Sequence, residues 1–281
     1  MVTGTAAAAD SLLPAADSRM VSLRGGSGVT AGSYVFAGTM PGAAWHRHDL
    51  HQLEYAVEGV IEVETARARF RSPPRQAVWI PAGLAHRSIL REVRTVSVFF
   101  DPVLVRDTTF RARVLHAPPL LREMTVHTAR WPIDRSGTDA GGDAYFEALA
   151  HLVVEWLEDE QPFHLPATRD RLIAEAMRWT DDHLASATLP QVCRAVAVSE
   201  RTLRRRFRAA TGMTWRQYLH QSRLLQATTL LVQTTGTVMS IATAVGFDSA
   251  AAFTRAFENY SGATPSAFRR ERREPGPPAA R

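Results

Sequence analysis

Residues 189–227 read LPQVCRAVAVSERTLRRRFRAATGMTWRQYLHQSRLLQA, and residues 241–270 read IATAVGFDSAAAFTRAFENYSGATPSAFRR. The two stretches echo each other at an offset of 50 residues: Ser199 with Ser249, Leu203 with Phe253, Phe207 with Phe257, Gly212 with Gly262, Thr214 with Thr264 and Tyr218 with Phe268. The shared positions follow one structural logic. A serine precedes each helix, where its hydroxyl accepts the free N–H groups of the first turn. Two apolar residues four apart then face inward. A glycine follows, suited to the left-handed end of a helix. A shorter helical segment precedes each copy, at residues 189–197 and 238–245, joined through residues 198–199 and 246–249. Short helix, tight turn and longer helix form a helix-turn-helix unit, whose second helix enters the major groove of DNA.

Burial of Leu203 and Phe207 turns Arg201, Arg204, Arg205 and Arg208 outward. Arginine forks onto guanine O6 and N7 or bonds a phosphate. The expected DNA-contacting residues are Arg201, Thr202, Arg204, Arg205 and Arg208 on the first recognition helix. On the second they are Ala250, Ala251, Thr254 and Arg255. Small side chains there allow close approach, and alanine or threonine can meet a thymine methyl. The first unit is therefore expected to supply most of the base readout, and the second to act more through phosphates and shape.

The charge distribution agrees. All 33 basic residues are arginine, a bias that GC-rich codon usage produces by itself. Residues 1–168 hold 16 Arg against 19 acidic residues, a net of −3. Residues 169–281 hold 17 Arg against 9, a net of +8. A basic third on a mildly acidic remainder suits a polyanion-binding module attached to a sensing or assembly module. Hydrophobic residues make up 45% and charged residues 22%, as in a soluble globular chain. No apolar run approaches the roughly 18 residues of a membrane span. The single cysteine, Cys193, excludes an intrachain disulfide and points to the cytoplasm. Set between Val192 and Val196, it reads as a small core residue.

Upstream the periodicity changes. Runs at 33–36, 52–57, 60–65, 76–80 and 95–100 are rich in Val, Ile, Phe and Tyr and are punctuated by Gly59, Pro73-Pro74 and Pro81-Ala82-Gly83. Many short strands at near-regular spacing indicate a sandwich or barrel. From residue 143 onward the apolar steps become helical, with Tyr145, Leu149, Leu152, Val153, Trp156 and Leu157 on one face. The expected fold class is α+β multidomain. It comprises a disordered leader at 1–28, a β-barrel sensor at 29–110, a helical dimerisation or linker region at 111–165, an all-α DNA-binding domain at 166–273 and a disordered tail at 274–281. The helix over 143–159 is the candidate dimer or relay element, the alternative being simple packing on the barrel.

Residues 45–59, WHRHDLHQLEYAVEG, place His46 and His48 two apart, followed by Gln52 and Gly59. Downstream, PAGLAH brings His86 after a turn. Strand residues two apart point the same way, so His46 and His48 share a side of the barrel. Converging imidazoles suit Zn, Fe, Ni or Cu. A metal-free small-molecule pocket and a purely structural role are the alternatives.

Residues 170–270 resemble the DNA-binding domain of AraC-type (AraC/XylS) transcription regulators on the two stretches quoted first. Residues 30–100 resemble the cupin superfamily on the histidine motifs. The first resemblance implies two helix-turn-helix units joined by a long helix at about 214–231, binding successive major grooves on one face of double-stranded DNA. The second implies a divalent transition metal (Zn, Ni, Fe or Cu) on His46, His48, Gln52 and His86. Two departures matter: Gln52 stands where cupins usually carry Glu, and the second recognition helix begins Ala-Ala-Ala where family members often carry polar residues. Together the resemblances imply a DNA-binding regulator, not an enzyme, responsive to a metal or small-molecule effector. They also imply a homodimer working with RNA polymerase, and control of a transporter or stress gene. The competing functions are a cupin metalloenzyme with a DNA-binding tail and an architectural DNA-binder with an inert dimer domain.

Overall fold

Alternation builds the strands of the N-terminal half. In Ile61-Glu62-Val63-Glu64-Thr65 every second side chain is buried and the others are half-exposed, the pattern of a strand with one face inward. The structure, a computed structural model, describes residues 18–25, 28–73, 75–137 and 139–273. Its strands are β1 (Arg19–Met20), β2 (Ala31–Met40), β3 (His46–Arg47), β4 (His51–Glu58), β5 (Ile61–Thr65), β6 (Ala68–Ser72), β7 (Gln76–Ile80), β8 (His86–Phe100), β9 (Arg113–His116), β10 (Glu160–Gln161) and β11 (His164–Pro166). They form one curled sheet in the order β10-β9-β7-β4-β8-β5-β6-β11, with β2 and β3 also on β8. All pairs are antiparallel except β1 with β3.

The concave side of the sheet gathers Ala56, Ile61, Val63, Phe70, Val78, Ile80, Leu90, Val93 and Val114. The opposite side gathers Leu53, Tyr55, Trp79, Val98, Phe100 and Leu115. Helices α1 (Pro119–His127) and α2 (Ala140–Trp156) cover it, α2 through Phe146, Leu149, Ala150 and Val153. Most of the apolar face over 143–159 thus packs on the barrel. Strand β4 is consequently buried on both faces along most of its length. Gly59, in the tight link after β4, has φ +80° and no room for a Cβ, which would lie 2.7 Å from Val93 Cγ1.

The sheet departs from the expected boundaries. Strand β1 lies inside the stretch read as a leader, pairing Arg19 with His46; residues 1–17 and 26–27 of that stretch lie outside the described residues, as does the 274–281 tail. The sheet also does not end at residue 110. β9 closes on β7, β10 on β9, and β11 on β6. The region read as helical therefore supplies three strands as well, each too short to show a period.

The C-terminal helices are α3 (Arg171–Asp182), α4 (Leu189–Ala195), α5 (Glu200–Thr211), α6 (Trp215–Gln233), α7 (Val238–Ala244), α8 (Ala250–Ser261) and α9 (Pro265–Arg273). One apolar core runs from the barrel interior into these helices through Phe163 and Leu165. Phe163 packs against Tyr260 and Phe268, with ring centroids 5.4 and 6.3 Å away. Polar contacts reinforce the junction. Arg69 on β6 reaches Asp181 and the Tyr218 hydroxyl, and Arg71 donates to Gln226 Oε1 at 2.6 Å. Among the described residues no helix is long and apolar enough to cross a membrane.

Candidate nucleic-acid interface and metal centre

Each helix-turn-helix unit is assembled by its caps. Ser199 Oγ accepts the Thr202 N–H at 3.2 Å and Ser249 Oγ accepts the Ala252 N–H at 3.2 Å. Gly212 and Gly262 close the two helices at φ +76° and +74°. Leu203 and Phe207 of α5, like Phe253 and Phe257 of α8, are fully buried. The offset of 50 holds for the recognition helices, but α4 and α7 are offset by 49, so the second turn is one residue longer.

Arg201, Arg204, Arg205 and Arg208 are exposed and line one shallow concavity with Glu200 and Ala209. Arg204 is held by Glu200, one turn earlier, at 2.8 Å. Thr202 is half-buried and its hydroxyl lies 3.0 Å from Ser199 Oγ, which places it in the cap. Arg206, in the same helix, faces inward to Asp170. On α8, Ala251 and Arg255 are exposed while Ala250 and Thr254 are half-buried. The positions equivalent to Arg201, Arg204, Arg205 and Arg208 are Ala251, Thr254, Arg255 and Glu258. Glu258 was missed by the sequence reading, although the 50-residue offset points to it. It cancels the charge of Arg255, so this stripe of α8 carries no net charge where the equivalent stripe of α5 is strongly positive. Cys193 is buried in the core of the first unit, and burial pushes its thiol pKa up.

In the barrel, β3, the residue that follows it and the start of β8 bring His46, His48 and His86 together. One nitrogen of each ring lies within 4.8 Å of the others. His46 pairs with His86 in register, with ring centroids 4.3 Å apart. Each Nδ1 faces a backbone carbonyl: His46 to Ala44 at 3.0 Å, His48 to Leu50 at 2.6 Å and His86 to Leu84 at 2.8 Å. A carbonyl only accepts, so each ring carries a proton on Nδ1, which leaves Nε2 as the nitrogen available to a ligand. His86 Nε2 is buried without a partner. Burial, with His46 and His48 beside it, pushes the His86 pKa down to about 3, and burial likewise lowers that of His48. Neutral imidazoles are the ligand form.

Gln52 stands one step behind. Its amide Oε1 lies 3.0 Å from His48 Nε2 and its Nε2 donates to Ser97 Oγ at 3.1 Å. Gln52 thus contacts a ligand-type histidine and is itself tied to β8. His51 faces the other side, accepting the Ala82 N–H and stacking on Trp79. Glu54 is fully buried with the Ser88 hydroxyl donating to it at 3.0 Å, and burial pushes its pKa up to about 7. The residue is only 3% exposed, unusual for a lone carboxylate on a strand.

The residues fit a transition metal by their chemistry: three converging imidazoles, each with Nδ1 bonded to a backbone carbonyl, and one buried Nε2 left without a partner.

Comparison with known proteins bears on the helix-turn-helix half. Residues 192–271 match a family model described as a helix-turn-helix domain. The chain is 30% identical over 233 residues to the HTH-type transcriptional regulator NimR of Escherichia coli (strain K12), covering 79% of this chain and 81% of NimR. It is 37% identical over 169 residues to the HTH-type transcriptional activator RhaR of Salmonella dublin, covering 57% of this chain and 60% of RhaR. A solved AraC-type DNA-binding domain regulator from Chromobacterium violaceum is 29% identical and covers 37% of this chain and 95% of its own, at a TM-score of 0.36. The match along most of NimR, together with the paired units seen here, shows that this chain belongs to the AraC-type helix-turn-helix transcriptional regulators.

Proposed function

We propose that this regulator couples DNA binding to occupancy of the three-histidine centre by a divalent transition metal, Zn, Ni, Fe or Cu. The observation that supports it is the convergence of three imidazoles, one nitrogen of each within 4.8 Å of the others and each ring oriented by a carbonyl at Nδ1. His46, His48 and His86 would hold the ion; His48 is oriented by Leu50 O through Nδ1, and its Nε2 would exchange the Gln52 contact for the ion. A bound ion would cross-link β3 and the residue after it to the start of β8.

The centre has a contact route to the DNA-binding helices. His86 pairs with Thr65 on β5, and the neighbouring Arg87 is ion-paired to Glu64 at 2.6 Å. β5 pairs with β6, which carries the Arg69 and Arg71 contacts to Asp181, Tyr218 and Gln226. A switch also requires the ion to bind two arrangements of the chain with different affinity.

The chain is a regulator and not an enzyme, so the buried Glu54 serves recognition or packing. A small molecule in place of a metal is favoured by one feature, the polar set Gln52, Glu54, Ser88 and Ser97 inside the barrel. We assign the active form as a homodimer contacting RNA polymerase, with transporter or stress genes as targets.

The test is metal analysis of untagged protein, together with anisotropy titrations of native genomic fragments with and without each ion. One bound ion and an ion-dependent change in DNA affinity are expected, both lost in His48→Ala. A stoichiometry near zero in every added ion ends the metal reading and leaves the small-molecule one.

A further inference from the structure

The two helix-turn-helix units meet at one three-way junction that neither recognition helix contains. Arg223, in the middle of α6, extends back to the turn that follows α3. Its Nε donates to Leu184 O at 2.9 Å and its Nη2 to Ala185 O at 3.3 Å. Two successive carbonyls beyond a helix C-terminus suit a planar cation with donors fixed in a fork. The turn of the second unit is seated on the same spot. Gly246, at φ +87°, comes so close that an added Cβ would lie 2.6 Å from Ala185 O, 2.7 Å from Arg223 Nη2 and 2.8 Å from Ala185 Cα. The next residue, Phe247, meets the His220 ring of α6 with centroids 5.9 Å apart. Burial lowers the Arg223 pKa, opposed by the nearby Asp248 carboxylate.

We infer that Arg223 is a positioning residue that fixes the angle between the two recognition helices, and thereby the base-pair separation at which this protein reads two adjacent sites on DNA. The inference rests on the DNA-binding function of the family. Arg223 sits on the linker helix, and its two acceptors are at the base of the first unit. The surface they form together is the seat of the second unit's turn. Without the fork, the longer second turn and the linker helix keep their own apolar packing, but the linker helix loses its polar tie to the carbonyls on which the second unit's turn is seated. Each recognition helix then keeps its bases, while the rotation of one relative to the other is no longer set. One inserted base pair turns the second site by about 35° of a helical turn of 10–10.5 base pairs, so a rigid junction rejects it.

The experiment is selection of bound duplexes from a random library by the full chain and by Arg223→Met, followed by titration of the selected sequence with one or two base pairs inserted between its halves. The wild type is expected to select two half-motifs at a single separation and to lose roughly tenfold or more on insertion. R223M is expected to select the same half-motifs over several separations, with losses under about threefold. A general loss of stability would lower affinity equally at every separation and leave the selected separation unchanged. Melting curves establish that the variant is folded; Arg223→Gln, which keeps one carbonyl-directed donor, carries the test if R223M is not. A single, unchanged separation in a folded variant overturns the inference. So does loss of both half-motifs.

Discussion

Arg206 on α5 forks onto Asp170, the residue that caps α3, with Nε to Oδ2 at 3.1 Å and Nη2 to Oδ1 at 2.7 Å. The same carboxylate accepts the Leu172 and Ile173 N–H groups at 3.1 and 3.3 Å. Burial alone would raise its pKa; the Arg206 and backbone bonds hold it below the usual carboxylate value. The first recognition helix is thus tied to the N-terminus of α3. Asp170→Ala should cost about 1–2 kcal/mol through the lost cap. Arg206→Ala should cost about 1 kcal/mol or less, because the pair is half-exposed. Asp170→Asn keeps the cap and should resemble R206A. Urea unfolding of the three variants separates the effects, and equal losses in all three would show that the cap contributes nothing.

Asp107 and Arg113 form a buried pair at 2.7 Å, their side chains 2% and 7% exposed. Burial pushes the Asp107 carboxyl up, but bonds from Thr109, the Trp79 indole and Arg113 overcome it and bring its pKa below the ordinary value. A carboxyl whose folded pKa is depressed stabilises the fold at pH values above its unfolded value, about 3.9, and that contribution disappears as pH falls through the folded value. Asp107→Asn should therefore lose about 3–5 kcal/mol at neutral pH, leaving Arg113 buried and unpaired. The gap from wild type should narrow below about pH 4. Denaturant titrations at several pH values check this; a pH-independent gap would mean that Asp107 is not ionised in the fold.

Ala197 occupies the left-handed region at φ +53° in the turn of the first unit. A Cβ there costs roughly 1–2 kcal/mol, offset in part by the extra unfolded-state entropy of glycine, about 0.4–1 kcal/mol. Ala197→Gly should stabilise by about 0.5–1 kcal/mol, read as a raised melting temperature. A lower one would show that the Ala197 methyl contributes packing.

Arg204→Ala and Arg205→Ala should each cost about 1–3 kcal/mol of DNA affinity and relax preference at one base position. Equal weakening on every sequence would place these side chains on phosphates. Glu258→Arg should strengthen binding to all sequences and steepen the salt dependence by about one unit of slope, since it adds a cation where the second helix meets the backbone. An unchanged slope would put Glu258 away from DNA.

The DNA-binding half was legible because its signals are local. Ser199, Gly212 and their partners 50 residues on are caps whose chemistry does not depend on the rest of the fold. The long strands were legible for the same reason. Strands β6, β9, β10 and β11 were not: they are two to five residues long and each has a partner far along the chain, as Phe70 has in His164. The histidines were found by spacing, and the structure brings all three together. Their carbonyl partners lie two residues away, but in opposite directions, which no spacing rule anticipates. The burial of Glu54 was hidden because a lone carboxylate in a strand usually faces water.

Strands β9, β10 and β11 come from beyond residue 110, yet they cover the outer edges of β7 and β6. An expression fragment ending at 110 would leave two ladders of unpaired backbone groups facing solvent, an invitation to self-association. During synthesis the same edges wait open until about fifty more residues have left the ribosome, close to the point at which α3 begins. Work on the isolated effector module should therefore begin with a boundary after Pro166, inside what looks like linker.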